Sequence, residues 1–172
     1  MPISKNKKAE IINELGKQIG SSETVVFVNF HGLAVSQATE LRRQLRVRNV
    51  GYRVVKKTLI PRAFEVSGRT VTGTWPALAG EVALAYLTAP DADPIAPAKG
   101  IYEFQSAAGG AMKESLRILG GVFQGAFANA EMMMRIAAIP PREILLAQLA
   151  NLFNSPIQRL VVALDQISKI KI

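Results

Sequence analysis

Four arginines, Arg42, Arg43, Arg46 and Arg48, fall within one short stretch of chain. Arg42 and Arg46 are four apart and share one face of any helix that carries them, with Arg43 beside them. Like charges at that spacing repel by about a few tenths of a kcal/mol. This repulsion is expected to go unrelieved within the chain, so that an outside anion supplies the countercharge. Guanidinium forks match phosphate oxygens and are weakly hydrated, so the chemistry indicated is binding to a phosphate-lined surface. Arg53, Lys56, Lys57 and Arg62 follow, and Lys5, Lys7 and Lys8 make a second cluster near the N-terminal end.

These cations are not scattered. Residues 1–69 hold 13 Lys/Arg against 5 Asp/Glu, which is the entire formal charge of +8; residues 70–172 hold 8 of each sign. Simple solubility charge would spread over the whole surface, whereas a one-sided excess with a pI near 10.1 favours a polyanion. A solvated basic face is the competing reading. Duplex DNA is disfavoured, since no helix-turn-helix spacing, zinc ligands or zipper heptads occur. No basic strand carries the stacking aromatics of a single-strand-binding sheet.

Catalysis is not indicated. The chain has one histidine, His31, and no cysteine, so neither a His/Cys metal site nor a nucleophile–base pair can be assembled. Gly109-Gly110 and Gly120-Gly121 lack a phosphate-binding context and read as turns. Met132-Met133-Met134 reads as core filling, Asp91 and Asp93 as helix capping, and Trp75 as edge packing. No cofactor or metal is expected. No signal peptide or membrane span is visible, because Glu10, Glu14 and Lys17 interrupt the first apolar stretch and Arg159 and Asp165 the last. A soluble, cytoplasmic protein is the expectation.

The elements that must position the cations follow from periodicity. Ser4 is placed to cap a helix over Lys5–Ile19, with Ile11, Ile12, Leu15 and Ile19 on one stripe and Gly20 as its stop. Glu23–Phe30 reads as a strand buried on both faces. Ser36 opens an amphipathic helix to about Asn49, with Leu41 and Leu45 inward; Gly51 ends the connection. Tyr52–Lys56 is a second strand. Thr58–Val66 is a short helix, with Pro61 tolerated in its first turn. Glu81–Leu87 is a third strand, and a helix begins at Pro94 or Pro97 and runs to about Ala107. Lys113–Leu119 and Val122–Phe127 form a hairpin turned at Gly120-Gly121, and Ala130–Ala138 is a helix ended by Pro140-Pro141. Interleaved strands and helices make residues 1–139 an α/β (α+β) domain with a single flanked sheet.

Residues 140–172 differ in kind. Leu146, Leu149, Phe153, Ile157, Leu160, Leu164 and Ile167 step by 3, 4, 4, 3, 4 and 3, one stripe of a helix, flanked by Leu145, Leu152, Val161 and Val162. A helix from Arg142 to Ile172 would reach roughly 46 Å, so much of it should project, kinked near Pro156. Burying seven large apolar side chains is worth on the order of 10–20 kcal/mol gross, and left bare they would aggregate. The stripe therefore asks for a partner, with fold-back onto its own domain and homodimerisation as rivals.

Several ordered segments are familiar. His31-Gly32-Leu33-Ala34-Val35, Glu40-Leu41-Arg42-Arg43, Tyr52-Arg53-Val54-Val55-Lys56-Lys57-Thr58-Leu59, Leu78-Ala79-Gly80, Pro97-Ala98-Lys99, Gly121-Val122-Phe123-Gln124-Gly125 and Pro141-Arg142-Glu143-Ile144-Leu145-Leu146 resemble the bacterial stalk-base family of the large ribosomal subunit, number ten in that subunit. Each piece is weak alone; the ordered set spans nearly the whole chain. The resemblance implies an N-terminal domain on ribosomal RNA at the factor-binding site, beside a neighbouring stalk-base protein. It also implies a long C-terminal helix that carries dimers of an acidic stalk protein, which in turn recruits translational GTPases. Arg42 matches the arginine of the family's E-L-R, and Lys56 and Thr58 match its K-N-T. Lys57 replaces the usual asparagine and His31 the usual arginine.

The expected function is thus a structural scaffold without enzymatic activity. RNA is held by Lys5, Lys7, Lys8, His31, Arg42, Arg43, Arg46, Arg53, Lys56, Lys57, Thr58 and Arg62. Stalk dimers are held by Ile157, Leu160, Val161, Leu164, Ile167 and Ile170. The alternative is a basic RNA-binding regulator that homodimerises through its C-terminal helix.

Overall fold

The computed structural model describes residues 5–73, 75, 78–89, 93–107, 115–140 and 142–170. Its central strand, β1 (Thr24–Asn29), is the run TVVFVN. Val25 and Phe27 enter one apolar cluster and Val26 and Val28 the other, all fully buried, so the sheet needs a cover on each face. Helices α1 (Lys5–Ser21) and α3 (Ile60–Val66) supply Leu15, Ile19, Ile60 and Phe64 to the first face. Helices α2 (Val35–Val47), α4 (Ala96–Ala107) and α5 (Ala130–Ala137) supply Leu41, Leu45, Ile101 and Met133 to the second.

The other strands are β2 (Val50–Val54), β3 (Val82–Leu87), β4 (Arg117–Phe123) and β5 (Ala126–Asn129). They assemble as β2-β3-β1-β4-β5, every pair antiparallel. This is the single flanked sheet that the sequence predicts. Thr72 bridges to Ala126 on the β5 side, whereas β2 forms the opposite outer strand.

Several boundaries differ from expectation, and four of the differences have a local reason. The hairpin turns at Gln124-Gly125, not at Gly120-Gly121. Both turn residues have positive φ, 50° and 80°, as a two-residue hairpin loop requires. Gly120 and Gly121 instead lie inside β4, where the ladder with β1 shifts register. A Cβ at Gly121 would stand 2.5 Å from the Val25 carbonyl oxygen, so the glycine is a close-approach residue. Gly121→Ala is expected to destabilise the fold by about 1–3 kcal/mol, read as a lowered thermal midpoint.

Helix α2 opens at Val35 rather than Ser36, because the Gln37 side chain accepts the Ala34 N–H at 3.2 Å. Strand β2 begins two residues early, at Val50. Asn49, with φ 57°, makes the reversal expected of Gly51, and Gly51 sits in the strand beneath the Tyr86 ring, 2.6 Å from where a Cβ would be. Helix α1 passes Gly20 and ends at Ser21, whose hydroxyl donates to the Gln18 carbonyl at 3.1 Å. Of the methionine triplet only Met133 is core; Met132 and Met134 are exposed. Trp75 packs edge-on against Phe64 with ring centroids 5.3 Å apart. Asp93 accepts the Ile95 N–H at 3.0 Å, just ahead of α4. The expectations for Ser4, Asp91, Gly109-Gly110, Lys113 and Pro141 lie outside the described residues.

Residues Met1–Ala138 form one compact unit and Ile139–Ile172 a second. The second is a single helix, α6 (Arg142–Ile170), whose span includes Pro156. That proline has no N–H for the Leu152 carbonyl, yet the helix continues through it. No described helix is long and apolar enough to cross a membrane.

Candidate nucleic-acid interface

Chain order brings the arginines and lysines to one place. Helix α2 leads directly into the outer strand β2, and a short 3-10 turn (Lys57–Leu59) leads directly out of it into α3. Residues 42–62 therefore wrap the same edge of the sheet. Leu41 and Leu45 are buried, which turns Arg42, Arg43, Arg46 and Arg48 outward. Val55 and Leu59 are buried on either side of the turn, which leaves Lys56, Lys57 and Thr58 exposed between two anchors. The turn is closed by the Leu59 N–H, which donates to the Lys56 carbonyl at 2.9 Å.

The cations then divide by whether the protein neutralises them. Arg43 pairs with Glu40 at 3.0 Å, and that hydrogen bond, with a second from Gln44, holds the Glu40 carboxyl below the usual carboxylate range. Arg48 pairs with Glu103 of α4. Arg53 pairs with Glu14 of α1 at 2.7 Å. Repulsion along α2 is thus relieved internally at two positions, which corrects the expectation that it goes wholly unrelieved. Arg42, Arg46, Lys56, Lys57 and Arg62 have no carboxylate partner among the described residues.

Arg42 is held by a ring instead. Its guanidinium carbon stands 5.8 Å from the centroid of Tyr52, a cation–π geometry. Arg42 and Arg46, with Asn49, Tyr52, Tyr86 and Thr88, surround a polar hollow of about 350 Å³. Arg53, Lys56, Lys57 and Thr58 border a second, apolar cleft of about 700 Å³. Arg62 on α3 and Lys7 and Lys8 on α1 belong to elements covering the same sheet face as that cleft. The Lys5 side chain lies outside the described residues.

The Tyr52 hydroxyl is buried and has no partner among the described residues. Burial pushes its pKa up from 10.0 to about 12, against the opposing pull of Arg42. The folded state therefore holds this proton more tightly than the unfolded state does. Stability from that difference is complete below about pH 10 and is lost between about pH 10 and 12. Tyr52→Phe is expected to change stability at neutral pH by less than about 1 kcal/mol, because no hydrogen bond is removed, and to weaken the alkaline decline. Thermal melts at pH 9 and pH 11 check both points; Tyr86, also raised by burial, leaves a residual decline.

His31 lies in the turn after β1. Asn29 organises this corner: its side-chain oxygen accepts the His31 N–H at 3.0 Å, and its amide nitrogen donates to the Ala79 carbonyl at 3.3 Å. The His31-Gly32 and Leu78-Ala79-Gly80 segments are thereby joined. Gly80 has φ 74°, and a Cβ there would stand 2.5 Å from the Asn29 amide nitrogen. Sequence reading missed Asn29, Tyr52 and the three neutralising glutamates. The adjacency of Tyr52 and Arg53 was visible, but the partners come from elements distant in sequence.

On α6, Leu160, Val161, Leu164 and Ile167 are each about 60% exposed, and Leu149 and Phe153 are exposed as well. The Ile157 and Ile170 side chains lie outside the described residues. Lys169 and Asp165 pair at 2.7 Å along the helix. No described cluster of His, Asp and Glu could hold a metal ion.

The family model "Ribosomal protein L10" matches residues 3–106, and "Ribosomal protein uL10 C-terminal region" matches residues 139–171. The chain is 35% identical to the large ribosomal subunit protein uL10 of Shouchella clausii, over 96% of this chain and 93% of that one. It is 33% identical to the protein of the same name from Pediococcus pentosaceus, over 94% and 90%. For that of Finegoldia magna the figures are 34%, over 96% and 87%. The chain therefore belongs to the uL10 family of bacterial ribosomal proteins, structural and non-enzymatic components of the large subunit in the cytoplasm.

Proposed function

We propose that the chain forms the base of the ribosomal stalk: residues 1–139 bind large-subunit ribosomal RNA beside a neighbouring stalk-base protein, and residues 140–172 carry dimers of an acidic stalk protein. The observation that supports the RNA half is the division of the cations. Arg42, Arg46, Lys56, Lys57 and Arg62 lack counterions among the described residues and sit on the elements that flank β2. A surface that leaves its own charge uncompensated at one edge is suited to a phosphate backbone. The stalk half rests on the exposed apolar stripe of α6, which a partner helix can cover. The resemblance to the stalk-base family implies that successive short stretches of this helix each hold one dimer; carried over, Ser155–Leu164 and the shorter Asp165–Ile172 make two places, through whose dimers translational GTPases are recruited indirectly.

Filter binding of the full chain to large-subunit RNA across a salt series tests the first half. Affinity should fall with a logarithmic slope of about −0.7 to −0.9 per phosphate neutralised. A flat response contradicts RNA binding through this face.

A further inference from the structure

The apolar cleft beside Lys56 and Lys57 is not explained by phosphate binding alone. Its floor is built from Ile11, Val55, Leu59 and Val82. At about 700 Å³ it falls within the range of sites that take a ring-sized ligand. Gly80 lines it too, fixed as glycine by its positive φ and by Asn29. The border is cationic: Lys56 and Lys57 are exposed and without a carboxylate partner among the described residues, and Arg53 is neutralised by Glu14. Glu81 is the one carboxylate among the lining residues.

An apolar floor under two uncompensated lysines fits a ligand with a flat, weakly polar body and anionic flanks. A purely apolar side chain of another protein would need no cations at the mouth. We propose that this cleft seats one unstacked nucleobase of the bound RNA, with the phosphates on either side of it against Lys56 and Lys57. The inference rests on the proposal that residues 1–139 bind RNA and adds a contact of a different kind. Phosphate contacts set affinity and its salt dependence; a seated base adds affinity that salt leaves alone. It also requires the RNA to present a nucleotide outside a helix, which makes an unpaired loop or bulge the recognised element.

The test plugs the cleft without touching a charge. Val54→Trp and, separately, Ile11→Trp place an indole at an exposed and a partly buried lining position, neither among the residues assigned to RNA. Full-length variants are compared with wild type on large-subunit RNA by filter binding, with thermal melts confirming the fold. Each plug should lower affinity about tenfold while the salt slope stays at the wild-type value. Zero-length ultraviolet cross-linking should join one nucleotide of the wild-type complex to the cleft. RNA made abasic at that nucleotide should lose the same factor with wild type and nothing further with either plug. Unchanged affinity in both folded plugs, or cross-links confined to other surfaces, overturns the base seat. A cross-linked peptide from a neighbouring protein in the assembled subunit in place of RNA does so as well. Failure of wild type to bind RNA in a salt-dependent way defeats the RNA-binding proposal itself, and the two failures are told apart on that control.

Discussion

If the proposed function holds, Leu160→Asp combined with Leu164→Asp is expected to remove stalk-protein binding and to leave RNA binding at its wild-type value. Both side chains are exposed on α6, so neither substitution opens a cavity in a core. Each large aliphatic buried under a partner is worth about 1.5–3 kcal/mol, and each carboxylate buried in its place adds a desolvation penalty. The sum is on the order of 5 kcal/mol or more, a reduction of at least about a thousandfold in affinity. Isothermal titration with the acidic stalk protein reads the first effect and filter binding the second. Stalk binding within tenfold of wild type would mean that the stripe is not the attachment face.

Arg42→Ala combined with Lys56→Ala is expected to give the mirror result. The two residues lie on α2 and at the exit of β2, and neither has a carboxylate partner in the described structure. Removing them leaves no buried charge unpaired, so the fold should hold. Without these two cations, two phosphates of the RNA go unneutralised. The salt slope should fall by about 1.4–1.8, and RNA binding should weaken about tenfold to a hundredfold at moderate salt. Arg43→Ala, by contrast, removes a cation already neutralised by Glu40 and should change the slope by less than one phosphate's worth. Stalk binding should be untouched in both proteins.

What the sequence could convey differs from element to element. The doubly buried β1 was legible because TVVFV has almost no polar residue to turn toward water, and the C-terminal stripe because its steps of 3 and 4 admit one helix face. The hairpin turn was misplaced because Gly120-Gly121 carries a strong turn signal. What decides the matter is the approach of Val25 from the neighbouring strand, a contact that no local pattern records. Gly51 misled in the same way, through the ring of Tyr86. At the interface, residue type identified the cations but not their state. Arg43, Arg48 and Arg53 looked like Arg42 and Arg46 until Glu40, Glu103 and Glu14 were placed beside them. Two of those three glutamates come from other helices, so the pairing is a property of the fold.

The mass of the complex formed by the full chain with both ligands present tests the two-ended account most directly. Native mass spectrometry with an excess of large-subunit RNA fragment and of acidic stalk protein should give one chain, one RNA and two stalk dimers together. Each ligand's stoichiometry should be unaffected by the other. Displacement of either ligand by the other, or a chain that pairs with a second copy of itself in place of the stalk protein, would contradict it.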